Sequence, residues 1–142
     1  MPLYVPNTPS TGTSNLVQTS ILRLDADAST NSTTFVTLMS TNITTGDGFL
    51  ILSFTCSCHA TSNNRQISFD IQVDGVSQTG TAVHIQSSPS TGTAATQARM
   101  AIAAGVHTVT VRWRTSAGVA VVQPVTLSEI EHAALMMYEV LN

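Results

Sequence analysis

Ala104-Gly105-Val106-His107-Thr108-Val109-Thr110-Val111-Arg112-Trp113-Arg114-Thr115 decides the fold. A glycine turn feeds a strict alternation in which Val109, Val111 and Trp113 point one way. Thr108, Thr110, Arg112 and Arg114 point the other. A period of two, with β-branched and aromatic residues on one face, marks a half-buried antiparallel strand. Trp113 is the only tryptophan, and a ring of that size is expected to anchor one sheet against another as a core residue.

Around this strand the chain reads as further strands and turns. Ile67-Ser68-Phe69-Asp70-Ile71-Gln72-Val73 alternates cleanly and runs into Asp74-Gly75. That dipeptide favours a type I′ hairpin, because both central residues need positive φ. Its partner strand is expected from Val76 to Gln86. Phe49 to His59 reads as a central strand whose even positions, Leu50, Leu52, Phe54, Cys56 and Cys58, make one apolar face. A Gly46-Asp47-Gly48 turn precedes it. Leu16–Leu24, Thr34–Met39, Arg99–Ile102, Val119–Val122 and Ala133–Leu141 complete the set. Phe35, Thr37 and Met39 are placed on one face of their strand. Ser87–Thr96 reads as a loop, and Thr126–His132 as a polar connection. The expected fold is all-β: an antiparallel two-sheet sandwich of jelly-roll type spanning residues 16–142.

Composition agrees. The 142 residues carry only 9% charged and 5% aromatic side chains, and Ser and Thr make up about a quarter of the chain. Globular domains average about 25% charge, so hydroxyls must cover much of this surface. Thr and Val favour sheet and Ser favours turns. Five basic against eight acidic residues give a net charge of −3. No basic patch is on offer for a phosphate backbone, so nucleic acid is not an expected partner. No apolar run approaches the 18 or so residues of a membrane span. Met1 to Pro6 lacks the basic start and apolar run of a secretory signal, so synthesis in a cytosol is expected.

Residues 1–15 are Pro-, Ser- and Thr-rich without periodicity, which makes them an extended arm rather than a core element. Pro2, Leu3, Tyr4, Val5 and Pro6 are the residues expected to touch a partner.

No catalytic or metal constellation emerges. Cys56 and Cys58 lie two apart on one strand face, a poor disulfide geometry, and no second pair exists to complete a zinc site. Buried free thiols are expected. His59, His84, His107 and His132 are scattered without an H-x-H pair. His107 is expected to cap its turn, and His84 to lie on an exposed strand face. Asp25-Ala26-Asp27 lacks the glycine and downstream Glu of a calcium loop. No serine sits in G-x-S-x-G. A carboxylate pair for glycoside hydrolysis would have to come from Asp70, Asp74, Glu129, Glu131 or Glu139; Asp74 is accounted for by its turn, and the others lack supporting features. The sequons at Asn31 and Asn42 matter only in a secreted chain. Arg112 and Arg114 carry two of the five positive charges. They lie either on a solvated face or in a subunit interface, paired with acids such as Glu129 or Glu131.

Ile67–Gly75, Ala104–Trp113 and the closing strand Leu135-Met136-Met137-Tyr138-Glu139-Val140 together resemble the small β-sandwich structural proteins of tailed bacteriophages, notably head decoration (cement) proteins. Many of these form a trimeric jelly roll like that of tumour necrosis factor. The resemblance implies a non-enzymatic virion protein without cofactor, made in the host cytoplasm, that trimerises and clamps the major capsid protein. A tail-fibre or carbohydrate-binding module for host attachment is the alternative, and an exposed Trp113 would favour it. A cupin-like metal enzyme would need three converging histidines.

Overall fold

A computed structural model describes residues 15–88, 90–122 and 133–141, with side chains from Ser20 onward. The arm residues Pro2, Leu3, Tyr4, Val5 and Pro6, and the connection holding Glu129, Glu131 and His132, lie outside the described residues.

Among the described residues ten strands follow one another: β1 (Asn15–Arg23), β2 (Ala28–Thr30), β3 (Val36–Thr45), β4 (Gly48–Ala60), β5 (Arg65–Val73), β6 (Val76–Ile85), β7 (Thr91–Ile102), β8 (Gly105–Thr115), β9 (Ala120–Val122) and β10 (Ala134–Leu141). All pairings are antiparallel. The first sheet runs β1-β10-β4-β7, and the short β2-β9 pair continues it where β9 takes over the edge of β4 at Cys58–Ala60. The second sheet runs β3-β8-β5-β6. The eight long strands thus divide into two four-stranded sheets in the order of a jelly roll.

The core lies between the sheets, and alternation puts it there. Leu50, Leu52, Phe54, Cys56 and Cys58 from β4 and Leu135 and Met137 from β10 meet Ile67, Phe69, Ile71, Val109, Val111 and Trp113. Trp113 is 2% exposed. It stacks on Phe69, its register partner on β5, with centroids 6.3 Å apart. Phe69 in turn meets Phe54 of the facing sheet at 5.4 Å, so a line of three rings joins the two layers. Asp74 and Gly75 have φ of 51° and 80°, as a type I′ turn requires. Gly48 is needed for close approach, since a Cβ there would stand 2.1 Å from the Val140 carbonyl oxygen.

The strands differ from expectation in four places. β3 runs on past Met39 to Thr45, and an additional short strand, β2, forms just after the Asp25–Asp27 turn. β7 begins at Thr91, inside the expected loop. Its inward positions are mostly small, including Gly92, Ala94, Thr96 and Ala98, so they carry almost no hydrophobic signal. In β3 the register slips between Thr37 and Met39. Phe35 and Thr37 therefore face away from the core while Met39 faces into it, as a bulge dictates.

Candidate functional site

The outward faces of the two sheets carry different chemistry. On the first sheet, the odd residues of β4 and even residues of β10 point away from the core. Their register sets Phe49 opposite Val140, Ile51 opposite Tyr138, and Ser53 opposite Met136. Ile21 of β1, an exposed apolar side chain, is the register partner of Met136. Arg99 of β7, paired with Ile51, lays its guanidinium 4.2 Å from the centroid of Phe49. Tyr138 donates its hydroxyl hydrogen to the Met136 sulfur at 3.7 Å. The outer side of a two-sheet sandwich is normally polar. Here it holds a patch of Phe49, Ile51, Met136, Tyr138 and Val140.

Sequence reasoning placed only the inward half of β10, yet a signal was present. Leu135-Met136-Met137-Tyr138 and Phe49-Leu50-Ile51-Leu52 are apolar at successive positions, the pattern of strands covered on both faces.

On the second sheet the outward face is a polar ladder. Ser40 Oγ meets Thr110 Oγ1 at 2.9 Å, and Thr108 Oγ1 donates to Asn42 Oδ1 at 2.8 Å. Arg112 and Arg114 stand on this face as their alternation predicts. The bulge in β3 brings Phe35 to them, with the two guanidinium carbons 5.1 and 4.8 Å from the ring centroid. Arg112 pairs within its own sheet: Nη2 and Nε donate to Asp70 Oδ2 at 2.6 and 3.2 Å. Asp70, expected only as an unsupported acid, also accepts from the Ser77 hydroxyl and is 4% exposed although it faces outward. Arg114 is exposed and, among the described residues, meets no carboxylate. Beside it lies a pocket of about 220 Å³ lined by Thr33, Gln66, Ser68, Arg114, Thr115 and Ser116.

Several of the remaining candidates have structural partners. His107 does cap its turn. Nδ1 meets Asp74 Oδ2 at 2.7 Å and Nε2 lies 3.0 Å from the Ala103 carbonyl. The Asp74 hydrogen bond, with help from Ala103, raises the His107 pKa above its ordinary value. The same bond, with the Thr108 N–H, holds Asp74 below the usual carboxylate range. The Glu139 carboxylate accepts the Gly46 N–H in the turn before β4. Cys56 and Cys58 are free and buried. The hydrogen bond between them and burial push the Cys56 thiol strongly up, away from the thiolate. His84 is exposed on β6 and His59 is half-buried on β4.

No protein-family model matches the chain, and no curated protein matches it in sequence. Solved structures do match in fold. The infectious bursal disease virus VP2 subviral particle aligns at TM-score 0.53 and 15% identity, over 99% of this chain and 42% of that one. The Gx strain of the same virus gives 0.51 and 13%, over 99% and 41%. The chain therefore spans about two fifths of the length of those viral proteins. The carbohydrate-binding module TmCBM61, solved with β-1,4-galactotriose, aligns at 0.42 and 13%, over 84% and 68%. At these identities the likeness is one of fold.

Proposed function

We propose that this chain is a non-enzymatic structural protein of a virion, a capsid decoration protein that works as a homotrimer. The apolar outward face of the first sheet carries the reading. Contiguous apolar surface on a soluble domain marks an interaction site. Aromatic residues, Met and Arg with few other charges are the composition of an interface core. Phe49, Ile51, Met136, Tyr138, Val140 and Arg99 have that composition. Three copies closed about an axis would bury this face three times over without leaving an open end. The likeness in fold to the VP2 subviral particle of a virus supports the reading.

The major capsid protein is the further partner proposed, reached by the arm through Pro2, Leu3, Tyr4, Val5 and Pro6. Arm and docked trimer together would turn weak contacts into firm attachment through effective concentration. The role is mechanical, in the virion, with no reaction, cofactor or nucleic acid.

Trp113 argues against the sugar-binding alternative. Its ring lies in the core and offers no open face. A sugar platform needs an open ring face.

Light scattering on the full chain and on a chain lacking residues 1–15 tests the proposal. A trimer in both supports an apolar-face assembly with the arm left for the capsid protein. Loss of the trimer on truncation assigns the arm to a neighbouring copy instead. A monomer in both contradicts the decoration reading.

A further inference from the structure

The geometry points to a carboxylate-binding pocket at Arg114, built for an acidic side chain of a partner protein, on the sheet opposite the apolar face. β5 and β8 pair so that Asp70 stands opposite Arg112, and one step along Ser68 stands opposite Arg114. At the first position the fold shows what this face does with a guanidinium: Arg112 grips a carboxylate at 2.6 Å, and the Ser77 hydroxyl also donates to that carboxylate. At the second position the cross-strand residue is a serine too short to fill the space, and the pocket of about 220 Å³ opens there.

Among the described residues, the walls repeat the Arg112 arrangement without the acid. The Arg114 guanidinium is steadied over the Phe35 ring, which leaves its in-plane N–H groups to form the fork that carboxylates fit. Ser68 and Thr33 line the pocket, and at the neighbouring position the Ser77 hydroxyl donates to Asp70. Backbone bonds hold the frame: Thr115 N–H donates to the Ser32 carbonyl, and Ser116 N–H to the Gln66 carbonyl. The Gln66 N–H donates to Ser116 Oγ at 3.0 Å, which fixes that rim.

One guanidinium among neutral hydroxyls balances one negative charge. A monoanionic carboxylate suits it better than a dianionic phosphate. This pocket stands apart from the trimer reading, because its residues lie on or beside the other sheet.

The test is a ¹H–¹⁵N titration of the full chain with N-acetylglutamate α-amide, methyl glucuronide and inorganic phosphate as separate probes. The expected result is a saturable shift of the Arg114 Nε–Hε and Gln66 side-chain signals with the glutamate probe. Arg114→Gln should weaken it about tenfold or more, the loss of a charge-assisted pair, while Arg23→Gln leaves it unchanged. Ser68→Asp is the second variant. It supplies the acid from within, so it should fold, remove the response to the probe and leave the unfolding midpoint no lower. No saturation, or a shift that survives Arg114→Gln, overturns the pocket. Binding of phosphate or of the glucuronide tenfold tighter than the glutamate probe overturns the assigned ligand.

Discussion

Asp70 faces away from the core and is nonetheless buried, because Arg112 and Ser77 close over it. Arg112→Ala would leave that carboxylate short of its main partner, at a cost of about 1–3 kcal/mol, read as a lower urea midpoint. Arg112→Lys should recover only part, since an ammonium lacks the planar fork. The His107–Asp74 pair works on a different axis. Its histidine is raised in the fold, so its contribution is complete below the ordinary value of 6.5 and is lost as pH rises through the raised one. Its aspartate is depressed, so its contribution is complete above 3.8 and is lost as pH falls through the lowered one. The pair therefore stabilises most between those two values. Thermal unfolding followed across pH should show wild type exceeding His107→Gln most within that window. A gap that does not change with pH would contradict the assignment. Trp113→Ala should cost about 3–5 kcal/mol, because the ring is the end of the line through Phe69 to Phe54.

At the scale of strands, Gly48 lets β4 and β10 lie together. Gly48→Ala would drive a Cβ into the Val140 carbonyl and should cost about 3 kcal/mol or more, seen as early loss of amide protection in β10. How legible each strand was depended on its inward residues. β4, β5 and β8 were plain because Leu, Ile, Phe, Val and Trp alternate with polar residues. β7 hid its first half because Gly92, Ala94 and Thr96 look like loop residues, and only pairing with the apolar β4 makes them strand. In β3 the alternation is readable but the bulge at Leu38 is not. A one-residue slip turns Phe35 outward, and nothing local in the chain announces it. The Arg112 and Arg114 face was therefore foreseen, but its ring and its Asp70 partner were not. Those came from register between strands distant in sequence.

Over the whole molecule, sparse charge and abundant hydroxyls leave two unlike faces. The second sheet presents a hydroxyl ladder with an arginine pair, and the first presents Phe49, Ile51, Met136, Tyr138 and Val140. The apolar side is the one that a copy of the chain should cover, and that burial is the central claim. The most direct measurement is molar mass by light scattering for wild type, Ile51→Glu and Val106→Glu. Val106 is exposed on the second sheet and serves as the control. Wild type and Val106→Glu should show three times the 14.9 kDa chain mass, and Ile51→Glu a folded monomer. A monomeric wild type, or an Ile51→Glu variant that stays trimeric, would contradict that claim.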